Sequence, residues 1–203
     1  MLFKRRKKKE SSTGLGWYDI TIDQFQKLKK LDLKDMADQI DAAEILLGIN
    51  ADDMTWSEFC VELKKLEFLN TEIPKTIIRK TYELNGRVYD CMYDLRGMTV
   101  ARYMDYTNLI KTGDMVKILG VFLVPEGCEY GKYDLDRVYE DIGTMNVVEA
   151  YGIYNFFWLQ FRVLLKAMKD SLVKMVKDPE LQDKVSAGMD YYSTLDLPYP
   201  GQD

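Results

Sequence analysis

The sequence predicts a mainly α-helical fold, a helical bundle around one long central helix, with one small β-hairpin. Three observations predict this fold. An apolar stripe with helical spacing runs through 146–175, shorter helical segments with their own capping residues precede it, and an Asn-Gly pair separates two runs with strand character. The 203 residues suffice for a domain with its own core, and 47% hydrophobic with 30% charged residues is ordinary for a globular protein.

The central helix is predicted to begin after Asn146, an N-cap residue, with Glu149 as its capping partner. Apolar residues follow at steps of three and four, and further apolar residues widen the stripe in the first half. We expect that half to be buried on several sides and the later half on one. The stripe consists of Val147, Tyr151, Tyr154, Trp158, Phe161, Leu165, Met168, Leu172 and Met175, widened by Val148, Ile153, Phe157, Leu164 and Val176.

Residues 1–16 are predicted to form a disordered basic arm. Six consecutive basic side chains repel one another, and the Ser, Thr and Gly residues that follow offer no apolar face to bury. The formal net charge of −5 therefore separates into a basic arm and an acidic body. Non-specific contact with DNA or RNA phosphates, contact with an anionic membrane surface and a solubilising role are all open for this arm. Its candidate nucleic-acid contacts are Lys4, Arg5, Arg6, Lys7, Lys8 and Lys9.

Residues 17–70 are predicted to form an N-terminal helical region. Two capping boxes mark helix starts within it, and one glycine marks a helix end. The boxes are Thr21 with Gln24 and Thr55 with Glu58, and the glycine is Gly48. The three predicted helices cover 22–30, 34–47 and 56–69.

Residues 71–177 are predicted to form the core domain, which opens with the hairpin. The Asn85-Gly86 pair tolerates positive φ and suits a two-residue type I′ turn. Pairing across this turn places Leu84 opposite Arg87 and three tyrosines on one face. Because a two-stranded hairpin is barely stable in water, we expect it to lie on the helices or to join another chain's sheet. The candidate protein-interface residues of the hairpin are Tyr82, Tyr89 and Tyr93.

Three more helices are predicted between the hairpin and the central helix. The first begins after Thr99 and runs to Lys111, the second is an almost wholly apolar helix over 115–124, and the third follows Asp134. We expect the second to be buried against the central helix. The predicted inward positions of the first are Val100, Tyr103, Met104, Thr107 and Ile110.

Residues 178–203 are predicted to form a C-terminal tail, rich in tyrosine, leucine and proline. Such tails often dock on a neighbouring protein, and a poorly ordered end is the alternative. The candidate interface residues of the tail are Tyr191, Tyr192, Leu197 and Tyr199.

The composition argues against catalysis, cofactor binding and metal binding. Histidine is absent, which removes the commonest general base and the commonest transition-metal ligand. Cys60, Cys91 and Cys128 are far apart without a CxxC motif, so neither a disulfide framework nor a zinc site is predicted, and a reducing cytoplasm is the default. Polar and charged residues interrupt the central helix, so no membrane span is predicted. We predict a non-enzymatic protein.

The hairpin and the elements after it resemble phage assembly proteins. The stretch TYELNGRVYDCMYDLRGMTVARYMDY resembles the opening of tail assembly chaperones of long-tailed bacteriophages. The stretch KILGVFLVPEGCEYGKYDLDRVYEDIGTMNVVEAYGIYNFFWLQF is similar to small proteins encoded among virion morphogenesis genes of phages and prophages of gut Bacteroidetes. The similarity covers 81–168, in element order and short strings. It implies a helical protein that binds other phage proteins in the host cytoplasm during assembly.

The resemblance leaves two roles open. A tail assembly chaperone would shield aggregation-prone segments of the tape measure protein with apolar surface of the 100–124 helices and the hairpin edge. The basic arm and the extra N-terminal helices depart from that pattern. They suit a structural virion component at the neck, portal or capsid, which would form homo-oligomers and touch DNA through the arm. A DNA-binding regulator, which rests on the arm alone, is the third hypothesis.

Overall fold

The structure of this chain is a computed structural model that describes residues 14–175 and residue 183. The fold is mainly helical with one small antiparallel sheet, as the sequence predicts. The helices are α1 (Ile22–Leu28), α2 (Met36–Leu47), α3 (Trp56–Leu63), α4 (Val100–Leu109), α5 (Met115–Gly120), α6 (Leu135–Gly143) and α7 (Val147–Met175). The strands are β1 (Thr81–Leu84), β2 (Arg87–Cys91) and β3 (Leu123–Pro125).

The predicted capping residues place the starts of the N-terminal helices. Thr21 Oγ1 accepts a hydrogen bond from the Gln24 N–H (3.3 Å), and the Gln24 side chain accepts one from the Thr21 N–H (3.1 Å). The second predicted box forms in the same way at the start of α3. Gly48 ends α2 with a φ of 64°, in the left-handed region. The third predicted helix is shorter than expected, because a 3₁₀ segment (Lys64–Asn70) replaces its second half.

Helix α7 is 29 residues long and begins at its predicted cap. The Asn146 side-chain oxygen accepts hydrogen bonds from the N–H groups of Val148 (2.9 Å) and Glu149 (3.3 Å). The Glu149 side chain, predicted to complete a capping box, instead pairs with the Arg79 guanidinium at 2.6 Å. The segment that leads into the hairpin therefore passes the first turn of α7.

The core has two parts, and both include residues of α7. The larger part joins the sheet, α4, α5 and α6 to α7, and the smaller part gathers the N-terminal helices around Val147 and Val148. Main-chain hydrogen bonds connect the chain before α1 to the start of α7, from the Ile22 N–H to the Met145 oxygen (3.0 Å) and from the Val147 N–H to the Ile20 oxygen (2.8 Å). The predicted stripe is buried from Val147 through to Phe161 and Leu165, as expected, whereas Leu164 is exposed.

The hairpin has the predicted turn and register, and a third strand extends it. Asn85 and Gly86 have φ angles of 49° and 74°, and Tyr82 pairs with Tyr89. Strand β3 pairs with the other edge of β2, so the sheet has the order β1-β2-β3. The prediction of one helix over 115–124 is therefore wrong in its second half. A short apolar run before a turn suits a buried strand as well as a helix, and here pairing with β2 decides.

Helix α4 faces the core with a side that matches the predicted one only in part, since Ile110 is buried as predicted and Tyr103 and Thr107 are half-buried. Arg102, Tyr106 and Ile110 are buried, whereas Val100 is 79% exposed and Met104 is 52% exposed. The predicted inward positions Val100 and Met104 are thus wrong. The buried positions are four residues apart, so they still form one face of a helix.

A single buried arginine explains the orientation of α4. Arg102 Nε donates a hydrogen bond to the main-chain oxygen of Val121 (2.5 Å), in the turn between α5 and β3. The guanidinium carbon lies 4.5 Å from the centre of the Tyr130 ring, within the range of a cation–π contact. Burial lowers the pKa of Arg102. Arg102 Nη2 is buried and has no hydrogen-bond partner among the described residues, so the carbonyl and the ring are the contacts that hold this cation on the inward side of α4.

Candidate functional site

The described residues contain little that would support metal chemistry or a membrane span. No three or more acidic or cysteine side chains among them come together in a way that would hold a metal ion. Within the same residues, no helix has the length and apolarity needed to cross a membrane. A buried carboxylate and two apolar grooves along α7 are described below, and a further groove of about 300 Å³ lies among the N-terminal elements, between Leu33 and Asn70.

The buried carboxylate belongs to Asp141 on α6. It accepts hydrogen bonds from the Tyr89 hydroxyl, from Asn85 Nδ2 (2.9 Å) and from Arg87 Nη2 (2.6 Å). Burial would raise the pKa of Asp141, but these three hydrogen bonds and the charge of Arg87 together hold it below its usual range. All three donors come from the hairpin. The carboxylate is therefore occupied in fixing the hairpin to α6 and is not free to act as a base.

Two of the three predicted interface tyrosines of the hairpin are core residues. Tyr89 is fully buried and Tyr82 is buried, with its hydroxyl oxygen accepting a hydrogen bond from the Arg79 N–H (2.9 Å). The predicted interface role of Tyr82 and Tyr89 is wrong, because this face of the hairpin packs on the helices of its own chain. Tyr93 is half-buried against Phe156, with 5.9 Å between ring centres, and its interface role stays a prediction.

The other predicted contacts lie outside the described residues. They are the basic-arm residues Lys4, Arg5, Arg6, Lys7, Lys8 and Lys9, and the tail residues Tyr191, Tyr192, Leu197 and Tyr199.

An apolar groove of about 240 Å³ opens between α4 and α7, and we call it the α4–α7 groove. It is lined by Leu95, Met98, Val100, Tyr103, Tyr106, Phe161 and Leu164. Its floor is rigid, because the Tyr106 ring packs edge to face against both Phe122 (5.1 Å between centres) and Phe161 (4.8 Å). Its rim is exposed at Val100 and Leu164, and exposed Met104 lies next to Val100 on the same face of α4. An exposed apolar rim over a fixed aromatic floor is typical of a protein-binding surface.

A second groove, of about 500 Å³, lies on another face of α7, and we call it the 72–76 groove. It is lined by Glu72, Ile73, Pro74, Lys75, Thr76, Tyr151, Gly152, Asn155, Phe156 and Leu159. Gly152 permits the close approach of its two walls, since a Cβ atom there would lie 2.5 Å from Thr76 Cγ2. Asn155 Oδ1 is buried at this site and accepts no hydrogen bond from any described residue.

The residues predicted from the sequence include part of the α4–α7 groove and none of the 72–76 groove. The prediction of client binding by apolar surface of the 100–124 helices includes the α4 wall, but with Val100 and Met104 facing inward. No role is predicted for 72–76. Two features of the sequence could have indicated the 72–76 groove. Pro74 lies in a segment with neither helix nor hairpin pattern, and Gly152 lies inside the long predicted helix. Comparison with protein-family models, with curated proteins and with solved structures finds no match to this chain.

Proposed function

We propose that this chain is a non-enzymatic factor of bacteriophage morphogenesis that acts as a tail assembly chaperone, with the α4–α7 groove as its client site. The observation that carries the proposal is the exposed apolar rim of that groove, formed by Val100 and Leu164 and extended by Met104 on the adjacent surface of α4. Monomeric proteins rarely leave such side chains grouped at a concave site unless something binds there. The phage context is supported by the resemblance of 81–168 to tail assembly chaperones and virion morphogenesis proteins.

The shape of the α4–α7 groove suits an amphipathic helix of the client. Two helices form its walls, and an apolar helix face with side chains at i, i+3 and i+4 fits between such walls. Met98 lines the groove and Met104 extends its rim, and methionine side chains adapt to differently shaped partners. Segments of a tape measure protein that are prone to aggregate expose side chains of this kind before the tail tube covers them. The groove would cover those side chains without any chemical step.

Isothermal titration of the full chain with synthetic tape measure segments tests the proposal. Val100→Asp places a charge on the rim at the first position of α4, where an acidic residue suits the helix dipole and the fold is retained. We expect at least a tenfold loss of affinity, which corresponds to about 1.4 kcal/mol. The matched control is Val61→Asp on α3, which changes a valine that is 57% exposed and outside the groove. Absence of binding by the native chain, or an equal loss in both variants, would count against the proposal.

The alternative role as a structural virion component rests on the basic arm and the extra N-terminal helices, and the arm lies outside the described residues. Mass spectrometry of purified, DNA-filled particles separates the two roles. A chaperone is absent from finished particles and present in the infected-cell lysate, whereas a structural component is found in particles at a fixed copy number.

A further inference from the structure

The segment 72–78, which forms one wall of the 72–76 groove, has main-chain groups without hydrogen-bond partners among the described residues. No main-chain hydrogen bond links 72–78 to any other described residue, and the segment contains neither helix nor strand. From Lys75 to Ile78 its side chains alternate between exposed and half-buried, as they do along a strand. Consecutive unpaired N–H and C=O groups in such a segment are a template for an added strand.

The α7 side of the same groove forms its apolar floor. The stretch from Tyr151 to Leu159 spans about 12 Å along the helix axis. Leu159 on this floor is 59% exposed, so its side chain is open to cover by a bound segment. A strand laid along this floor, beside the 72–76 segment, would cover the Leu159 side chain.

The sequence of the C-terminal tail has the pattern that this groove requires. Leu195, Leu197 and Tyr199 alternate with other residues, so an extended chain presents all three on one face over about 13 Å. This length matches the floor. Pro198 and Pro200 lie at the alternate positions, whose main-chain groups point to the outer edge of such a strand. Because proline has no N–H, this edge lacks two donors. The segment can therefore pair with 73–78 through its inner edge, whereas its outer edge is unsuited to pairing with a further strand.

Charge and chain length also agree with this occupant. Between 188 and 203 the chain has three aspartates and neither lysine nor arginine. Lys75 borders the groove, and exposed Arg162 and Lys166 continue the face of α7 that carries Leu159, while Glu72 is the acidic residue among those lining the groove. The nineteen residues from 176 to 194 reach up to about 60 Å when extended, and the return along α7 from its end to Asn155 is about 30 Å.

We propose that 195–199 of the same molecule lie in the 72–76 groove as an added strand. Leu195, Leu197 and Tyr199 cover the α7 floor, and the main chain of the strand pairs with that of 73–78. This docking of the tail covers a different face of α7 from the face that lines the α4–α7 groove. It does not depend on the proposed chaperone role.

Amide hydrogen exchange of the full chain, followed by mass spectrometry of the peptide 72–79, tests the docking of the tail. In the native chain we expect these amides to exchange at least tenfold more slowly than in Leu197→Asp, which charges the covered face of the strand. Leu159→Asp, on an exposed position of the floor, is expected to release the same protection. The matched control is Thr194→Asp, which adds the same charge one residue before the strand, at a position that does not cover the floor, and is expected to retain protection. The hairpin peptide reports that each variant is folded.

Three results would overturn the docking of the tail. The first is rapid exchange of 72–79 in the native chain, and the second is equal protection in the native chain and in both groove variants. The third is protection that increases with protein concentration, which would assign the groove to the tail of a second copy.

Discussion

The Asp141→Asn substitution tests how the hairpin is held, because it keeps the size of a buried side chain and removes its charge. Asp141 is 1% exposed and accepts hydrogen bonds from Tyr89, Asn85 and Arg87. Asparagine has one acceptor oxygen, and its amide group brings two N–H donors into a site whose other members are donors. The Tyr89 hydroxyl retains an acceptor, whereas the Arg87 guanidinium loses its ion pair at 2.6 Å.

We expect this change to lower the free energy of unfolding by about 2–4 kcal/mol. Removing one partner of a fully buried ion pair costs about 3–5 kcal/mol. The Arg87 side chain is 33% exposed, so water solvates part of the charge that is left behind, and the cost falls below the upper bound. Hydrogen bonds to a charged group each contribute about 1.5–3 kcal/mol, and the variant loses at least one of them.

The effect of Asp141→Asn has a defined pH dependence. The pKa of Asp141 is lower in the folded state than its ordinary value, since its hydrogen bonds and the charge of Arg87 outweigh the effect of burial. The carboxylate therefore contributes stability above its unfolded pKa of about 4, and this contribution is lost as the pH falls through the folded pKa. The difference in the free energy of unfolding between the native chain and the variant is expected to have its full size at pH 6 and to decrease below about pH 4.

Urea denaturation followed by tryptophan fluorescence, at pH 6 and at pH 3, measures both quantities. Asp105→Asn is the matched control, because this exposed carboxylate accepts a hydrogen bond from the Tyr130 hydroxyl (2.9 Å) but is not buried. We expect the control to cost less than about 1 kcal/mol. A loss of less than about 1 kcal/mol in Asp141→Asn, or a loss that is the same at both pH values, would refute the assignment of Asp141 as the anchor of the hairpin.

Two further predictions concern the close approach at α7 and the burial of the sheet. Gly152→Ala is expected to lower the free energy of unfolding by about 1 kcal/mol in urea denaturation, because the overlap with Thr76 costs about 1–3 kcal/mol and the helix preference of alanine offsets about 0.5–1. A gain in stability would mean that the two walls are not in close contact. In thiol labelling with DTNB at pH 8, exposed Cys128 is expected to react quickly. Cys91 is expected to react only after unfolding, because burial raises the pKa of its thiol to about 12. Fast labelling of Cys91 in the native protein would contradict the burial of this face of the sheet.

The parts of the fold that the sequence predicted correctly depend on short-range interactions. The capping box of Thr21 with Gln24, the cap of Asn146 and the turn at Asn85 each involve residues within three positions of one another. Such interactions are readable from spacing because no distant partner takes part in them. The long apolar stripe of α7 was also readable, since one dominant period extends through the first half of the helix.

The predictions that failed depend on contacts between distant parts of the chain. The orientation of α4 is fixed by the hydrogen bond from Arg102 to Val121, nineteen residues away, and an arginine on an isolated helix is expected to face water. The α4–α7 groove exists because of this orientation, so its rim could not be assigned from periodicity. The strand β3 depends in the same way on β2. The 72–76 groove depends on the approach of Thr76 to Gly152, and no local pattern encodes a distance between two segments.

The geometry of α7 makes the two proposed binding events separable. Leu159 lines the 72–76 groove and Leu164 lines the α4–α7 groove, and five residues of an α-helix place their side chains about 140° apart around the axis. Coupling between the grooves would require α7 to shift or rotate. The Phe157 ring stacks on Phe122 with 3.6 Å between ring centres, so a rotation would break packing in the middle of the larger core. We therefore expect loss of tail docking to leave client affinity unchanged, and a dependence of one on the other would require a second arrangement of this helix.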